Sequence, residues 1–176
     1  KAFRSLMQIT RADGKIIAWA EDKNIESLLS DAKAPVITYG LKKGDVTAKV
    51  LQTSGEGTTF TVNFKEKDLG EFKTIMSGDY NVLNALSAIA LTHELGYDLA
   101  EVKKALMTFQ GVKRRQEILG EPRGVLIIED FAHHPTAVRE TIRGIKAKYP
   151  TRKLWAVFEP RSATSRRKIF QKEYAE

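Results

Sequence analysis

Residues 124–135 read GVLIIEDFAHHP, and this stretch decides how the second half of the chain folds. The apolar run at 125–128 is short, which predicts a strand buried on both faces of a parallel sheet, with helices above and below it. Polar side chains follow the run, among them those of Asp130, His133 and His134. Since ligands of open α/β sheets bind beyond the carboxyl ends of the strands, these residues indicate a functional site.

The segment after this strand completes a βαβ pattern. Pro135 suits the first turn of a helix, which the apolar spacing extends over residues 135–149. A second apolar run at 153–158 predicts another buried strand, joined to the first by a right-handed connection. The residues that follow it should therefore share a crevice with Asp130. A basic helix, capped by Ser162 or Thr164, is expected to run to the end of the chain.

The first 75 residues predict short strands and turns with one brief helix, which Asn24 should cap. Strands are expected at 15–20 and 36–39. A hairpin is expected from strands at 45–52 and 58–64, on either side of the turn-rich sequence SGEG.

Two helices follow, and both should pack on the core. The first begins near Ser77 and stops at Gly96, and the second begins at Asp98, which starts a capping-box pattern. Apolar residues recur at helical spacing on one face of the second helix: Leu99, Val102, Leu106 and Phe109. The composition changes at Gly111, so we place a domain boundary there, with domains at 1–110 and 111–176.

Composition limits the class of protein. The chain has 176 residues, 42% of them hydrophobic, which is enough for a packed core in one domain or two small ones. It has no cysteine, which excludes disulfides and thiolate metal sites and fits a cytoplasmic location. No run approaches the ~20 apolar residues of a membrane span, and no signal peptide is recognisable. A first residue of Lys rather than Met suggests part of a longer chain.

The net charge of +7 is confined to the last third of the chain. Residues 1–110 hold 14 basic and 14 acidic residues, whereas residues 111–176 hold 15 and 8. This asymmetry favours an anionic partner, either nucleic acid or a small substrate that carries phosphates and carboxylates. A solvated basic surface is the alternative.

Several side chains are candidates for binding. Asn81 and Asn84 lie three apart near a helix start and could present donors and acceptors to an adenine edge, or could simply cap the helix. Asp130 could accept hydrogen bonds from ribose hydroxyls or cap the next helix. Arg114 and Arg115 could bind phosphate, and three later arginines could bind carboxylates, unless they are only exposed: Arg161, Arg166 and Arg167.

Two simpler types of site are disfavoured. His133 and His134 are adjacent and should point in different directions, so a metal site made by this pair alone is not expected. The phosphate-loop pattern Gly-x-x-x-x-Gly-Lys-Ser/Thr is absent from the sequence.

Three stretches together resemble the Mur ligases, the ATP-dependent amide-forming enzymes of peptidoglycan metabolism. They are SGDYNVLNAL at 77–86, GVKRRQE at 111–117 and EDFAHHPT at 129–136. The resemblance implies an α/β fold in which 1–110 is the latter part of the central ATP-binding domain. Residues 111–176 would then begin the Rossmann-like C-terminal domain. Where this chain has Tyr80 the family usually has His, and where it has Phe131 the family commonly has Tyr.

The resemblance also implies the site. ATP would contact Asn81, Asn84, Arg115, Asp130 and His133, while the other substrates would contact Phe131, His134, Arg161 and Arg166. No catalytic residue is assigned. The phosphate loop and the principal Mg²⁺ ligands lie upstream in the family, so we expect these 176 residues alone to have no ligase activity.

In the family reaction, ATP phosphorylates the carboxylate of UDP-N-acetylmuramate, and an amine attacks the acyl phosphate. Residues 158–167, FEPRSATSRR, are most similar to members that add the recycled murein tripeptide L-alanyl-γ-D-glutamyl-meso-diaminopimelate. Members that add L-alanine are the alternative. Two other functional classes stay open. The chain could be a nucleic-acid-binding module that uses the basic tail at 161–172, although this tail lacks interleaved aromatic residues. It could also be an interaction domain that self-associates through exposed sheet edges. The ligase interpretation predicts small-molecule partners, with no nucleic acid and no membrane.

Overall fold

The computed structural model describes residues 2–161, 163 and 165–175, and the predicted caps Ser162 and Thr164 lie outside them. The described residues form a mixed α/β structure, as predicted. Its helices are α1 Ala2–Ile9, α2 Lys23–Glu26, α3 Asp79–Glu94, α4 Leu99–Thr108, α5 Pro135–Lys148 and α6 Gln171–Ala175. Its strands are β1 Ile16–Trp19, β2 Val36–Gly40, β3 Val46–Ser54, β4 Gly57–Phe64, β5 Lys67–Thr74, β6 Glu117–Gly120 and β7 Ile127–Glu129.

A five-stranded sheet organises the first half, with strand order β1-β2-β3-β4-β5. The pairs β1–β2 and β2–β3 are parallel, while β3–β4 and β4–β5 are antiparallel. The hairpin predicted around the SGEG turn is confirmed as β3 and β4. Strand β5 was not predicted, because its sequence KDLGEFKT is polar, although Leu69, Phe72 and Thr74 are buried.

Helix α3 packs on this sheet and closes the core. The fully buried side chains include Phe60, Val62 and Phe72 from the strands and Leu86 and Ile89 from the helix. Helix α4 adds three predicted inward residues, Leu99, Val102 and Leu106. The fourth prediction was wrong: Phe109 is 48% exposed, because α4 ends at Thr108 and the chain turns away there.

The helix boundaries follow local capping chemistry. Asp98 caps α4 by accepting a hydrogen bond from the backbone N–H of Ala100, and Gly96 follows the end of α3 with φ +76°, both as predicted. The predicted cap of α2 was wrong. Asp22 rather than Asn24 is the cap, because its carboxylate accepts from two backbone N–H groups, at 2.7 and 3.0 Å.

The second half departs from the predicted parallel strands. Strand β7 begins at Ile127, and it pairs antiparallel with β6. Residues 153–158 form no strand, and Val157 is 97% exposed. A strand buried on both faces needs hydrogen-bonded neighbours and a covering layer on each side. Among the described residues β7 has one paired neighbour, so Ile127 stays 44% exposed.

The path of a βαβ unit is nevertheless visible. Helix α5 confirms the predicted helix and connects the two apolar runs. Leu126 and Ile128 line a cavity of about 180 Å³ together with Leu154 and Val157, so the runs lie near each other without strand hydrogen bonds. At the end of the chain only α6 and a preceding 3₁₀ turn, Lys168–Phe170, are helical, so the predicted basic helix is shorter than expected. In the described part of the chain, every helix is too short or too polar to cross a membrane.

The hairpin turn gives a matched test of this fold. Replacing Gly57 by Ala should lower the free energy of unfolding by at least about 2 kcal/mol, because φ is +122° and the new Cβ would collide with the Thr74 carbonyl oxygen. Replacing Gly55 is the control, since a Cβ there meets nothing within 4 Å. Urea unfolding of both variants measures the difference, and equal midpoints would contradict the described β4–β5 pairing.

Candidate functional site

The N-terminal turn of α3 presents both candidate asparagines on one face. Asn81 is buried and donates from Nδ2 to the Ser77 carbonyl oxygen at 2.8 Å. Asn84 is exposed, and its Nδ2 lies 3.4 Å from Asn81 Oδ1. Neither side chain caps the helix, so the capping alternative is wrong for this pair.

A cavity of about 940 Å³ opens between α3 and α4, beside these residues. Asn81, Asn84 and Arg115 are among its polar lining residues, and most of the rest of the wall is apolar or aromatic, including Met76, Val102, Leu106 and Phe109. An apolar wall with a few fixed polar groups is typical of sites for planar organic ligands. The cavity therefore brings together three of the five residues that were predicted to contact ATP.

The Asp130 carboxylate is hydrogen-bonded to the backbone of Gln116, the residue that follows Arg115. Its Oδ2 accepts a hydrogen bond from the Gln116 backbone N–H at 2.9 Å, and its Oδ1 accepts one from the Ala132 N–H at 2.7 Å. These bonds hold the half-buried carboxylate in one orientation at the end of β7. An ionised carboxylate has about four lone-pair sites, so further acceptor capacity remains on each oxygen.

The side chain of Gln116 links this segment to the start of α3, and sequence reasoning missed it. Its Nε2 donates to the Ser77 carbonyl oxygen at 3.2 Å and also to the Tyr80 hydroxyl. Its Oε1 accepts from Ser77 Oγ at 2.9 Å. Gln116 stands inside a quoted motif, but an amide next to two arginines carried no recognisable chemical signal.

Tyr80 is enclosed by this network. Burial raises the pKa of its phenol above the usual value, and the charge of Asp130 also raises it. Hydrogen bonds with Thr141, Gln116 and Asn81 act in the opposite direction. The neutral phenol is therefore favoured, and it can serve both as an acceptor and as a donor inside the site.

Arg115 and Arg114 have different partners. The Arg115 guanidinium lies 5.8 Å from the centre of the Phe131 ring, in a cation–π arrangement that leaves its N–H donors available. Arg114 instead forms an ion pair with Glu129 at 3.5 Å. Of the two, Arg115 is thus the one that both lines the cavity and keeps its charge for a ligand.

The two histidine side chains have different partners. His134 caps α5, because its Nδ1 accepts from the Thr136 backbone N–H at 3.3 Å. The ring of His133 is exposed and lies edge-on to Phe131, with ring centres 5.1 Å apart. Its carbonyl oxygen accepts a hydrogen bond of 2.6 Å from Tyr174, which connects α6 to this turn.

The structure does not place Arg161 and Arg166, the two arginines that were predicted to bind substrate carboxylates, at the cavity. Arg161 pairs with Glu159 at 2.9 Å, and Arg166 donates to the Pro160 carbonyl oxygen at 3.2 Å, so these partners lie in their own loop. Phe158, just before that loop, does line the smaller cavity with Asp130. Within the described ranges, no three His, Asp or Glu side chains cluster as metal ligands would.

Both halves of the chain match models of known protein families. The family model for the Mur ligase middle domain matches residues 1–92, and the model described as Mur ligase, glutamate ligase domain, matches residues 114–174. The predicted boundary at Gly111 falls between the two matches and stays a prediction.

Individual relatives agree with these matches. The chain is 39% identical over 171 residues to a UDP-N-acetylmuramate–L-alanine ligase from Desulfitobacterium hafniense strain Y51, covering 97% of this chain and 38% of that protein. A UDP-N-acetylmuramate–alanine ligase structure from Thermotoga maritima is similar with a TM-score of 0.68 at 34% identity, covering 77% of this chain and 30% of that one. A murein peptide ligase structure from Psychrobacter arcticus 273-4 gives 0.64 at 35% identity, covering 91% and 34%.

The chain therefore spans 30–38% of the length of these relatives. Since the middle-domain match by itself extends over more than half of the 176 residues, the chain belongs to the Mur ligase family.

Proposed function

We propose that this chain supplies part of the nucleotide-binding site of an ATP-dependent ligase that joins L-alanine to UDP-N-acetylmuramate. One observation carries the proposal: Asn81, Asn84 and Arg115 share one cavity, and hydrogen bonds through Gln116 tie that cavity to Asp130. Groups suited to a base and a phosphate thus line one cavity, and a group suited to a ribose is hydrogen-bonded to the backbone of the next residue after Arg115. Family membership favours this class over a nucleic-acid-binding module.

The base would lie against the asparagines. Asn81 uses Nδ2 for the Ser77 carbonyl, which fixes its side chain, while the exposed Asn84 has donors and an acceptor for the adenine edge. The apolar wall beside them would cover the faces of the ring. Asp130 would accept hydrogen bonds from ribose hydroxyls with the lone pairs that its two backbone donors leave.

The phosphates would meet the positive side of the site. Arg115 offers a planar guanidinium that Phe131 supports, and guanidinium groups bind phosphate oxygens in a forked geometry. His133 is exposed on the adjoining turn and is the second candidate for this end of ATP. Mg²⁺ accompanies ATP in this proposal, with its principal ligands outside these residues.

The acceptor side would use the turn after β7 and the loop after residue 158. Phe131 and His134 would line the cleft, and Arg161 and Arg166 would hold substrate carboxylates. To bind a substrate carboxylate, Arg161 would have to release Glu159, because these two side chains now form an ion pair.

In the bond-forming step the amine attacks the carbonyl carbon of the muramyl acyl phosphate. The amide C–N bond forms, the C–O bond to phosphate breaks, and inorganic phosphate leaves as the amine nitrogen loses a proton. Because the phosphate loop is not among them, the 176 residues alone are expected to have no ligase activity. The proposed location of the reaction is the cytoplasm.

The amine substrate is the point on which the comparisons change the interpretation. Residues 158–167 favoured the murein tripeptide, with L-alanine as the alternative. The relative that is 39% identical over nearly the whole chain is named for L-alanine, and the solved alanine ligase is as similar as the murein peptide ligase. These findings support L-alanine as the substrate to propose.

Replacing Asp130 or Asn84 by Ala in the complete gene product should weaken ATP binding. A lost charge-assisted hydrogen bond costs about 1.5–3 kcal/mol, so the dissociation constant should rise about 10- to 150-fold for Asp130→Ala and by a smaller factor for Asn84→Ala. Isothermal titration measures both. Asn63→Ala, an exposed asparagine on β4, is the matched control. Unchanged binding in both site variants would refute the proposed nucleotide site.

The choice of amine can be tested directly. With UDP-N-acetylmuramate and ATP, the complete gene product should release phosphate when L-alanine is added and much more slowly with L-alanyl-γ-D-glutamyl-meso-diaminopimelate. Phosphate release at matched amine concentrations measures the preference. A preference for the tripeptide would restore the interpretation that residues 158–167 suggested, while leaving the ATP site intact.

A further inference from the structure

Gln116 occupies the junction between the two halves of the candidate site. Its backbone has φ +50°, a conformation that directs its N–H towards Asp130 while its side chain extends towards the start of α3. Few non-glycine residues adopt a positive φ, and it persists where surrounding contacts fix it. Here those contacts are the three side-chain hydrogen bonds to Ser77 and Tyr80.

A continuous set of hydrogen bonds passes through this residue. The Ser77 carbonyl oxygen accepts from Asn81 Nδ2 at 2.8 Å and from Gln116 Nε2 at 3.2 Å, so both of its lone pairs are used. Asn84 joins through Asn81, and Asp130 joins through the Gln116 backbone N–H. The proposed base contacts and the proposed ribose contact are thus held in register by one residue, through its side chain on one side and its backbone N–H on the other.

The amide of Gln116 has no donor left for a ligand. Both N–H groups of Nε2 are used, one by the Ser77 carbonyl and one by the Tyr80 hydroxyl, and Oε1 accepts from Ser77 Oγ. The space beside it is also filled, since a Cβ added at Gly144 would lie 3.2 Å from Nε2. The residue therefore acts on the site through its neighbours rather than by touching ATP.

We infer that Gln116 is a positioning residue that sets the spacing between the asparagine pair and Asp130, and so determines affinity for the adenosine part of ATP. This inference rests on the proposed function. Tyr80 is its partner: the phenol closes the amide network, so loss of either side chain frees the same junction.

The test uses Gln116→Met in the complete gene product, because Met keeps the volume and removes the amide. The dissociation constant for ATP should rise about tenfold, because the three lost side-chain hydrogen bonds no longer hold the asparagine pair and Asp130 at the spacing that ATP needs, while that for UDP-N-acetylmuramate should stay unchanged. Gln110→Met is the matched control, since Gln110 is exposed and bonds only locally, to the Thr108 carbonyl. A variant that merely loosened the fold would weaken both ligands together.

Tyr80→Phe supplies a second and more conservative variant. It should weaken ATP binding less than Gln116→Met, and the double variant should show less than the product of the two effects, because both substitutions remove one shared hydrogen bond. Fully multiplicative effects would overturn the coupling. Unchanged ATP affinity in Gln116→Met, or equal loss for both ligands, would overturn the positioning role.

The same titrations separate this inference from the proposed function. If Asp130→Ala weakens ATP binding while Gln116→Met does not, the nucleotide site stands and the positioning role is wrong. If neither Asp130→Ala nor Asn84→Ala weakens binding, the proposed nucleotide site itself fails, and the positioning role fails with it.

Discussion

The close approach of α5 to the start of α3 is the contact on which the site depends. Gly78 and Gly144 meet here, and a Cβ on Gly144 would lie 3.3 Å from the Gly78 Cα and from the Ser77 carbonyl oxygen. A glycine inside a helix costs about 1 kcal/mol relative to alanine, and this close backbone contact gives a structural reason for its use there. Gln116 and Tyr80 form their hydrogen bond beside this contact, since Gln116 Nε2 also lies 3.2 Å from the position of a Cβ on Gly144.

A polar contact supports the same junction at the other end of α5. Lys148 donates to the Ile75 carbonyl oxygen at 3.2 Å, and burial lowers the pKa of its ammonium group. Among the described residues, the contacts between the halves include these hydrogen bonds and this close backbone packing, while the buried apolar core is formed by residues of the first half. Such a junction fixes orientation well, which suits a site whose polar groups come from both sides.

Local chemistry made much of the fold predictable. The hairpin, the stop at Gly96, the cap at Asp98 and the span of α5 all follow from residues close in sequence. The wrong predictions concern which segments pair as strands. Strand β5 is polar along most of its length, and the run at 153–158 is apolar but forms no ladder, because pairing depends on a neighbouring strand that periodicity does not reveal.

Residue spacing made some placements predictable. Asn81 and Asn84 had to share a helix face, and Asp130 had to follow its strand, whereas their assignment to one ATP site came from the family resemblance and stays a prediction. The role of Gln116 could not be predicted, because it arises from a positive φ and from contacts to residues 36 and 39 positions earlier. Neither property is visible in the type of one residue.

The distribution of charge shows the same limit. The sequence places the whole positive excess after residue 110, but it does not say which cations are available to a ligand. In the described structure Arg114, Arg152 and Arg161 each pair with a nearby glutamate. Arg115 instead lies over the Phe131 ring and lines the cavity. An aromatic partner orients a guanidinium without neutralising its charge. Which arginines can bind an anionic ligand therefore depends on the neighbour of each arginine and not on the number of arginines.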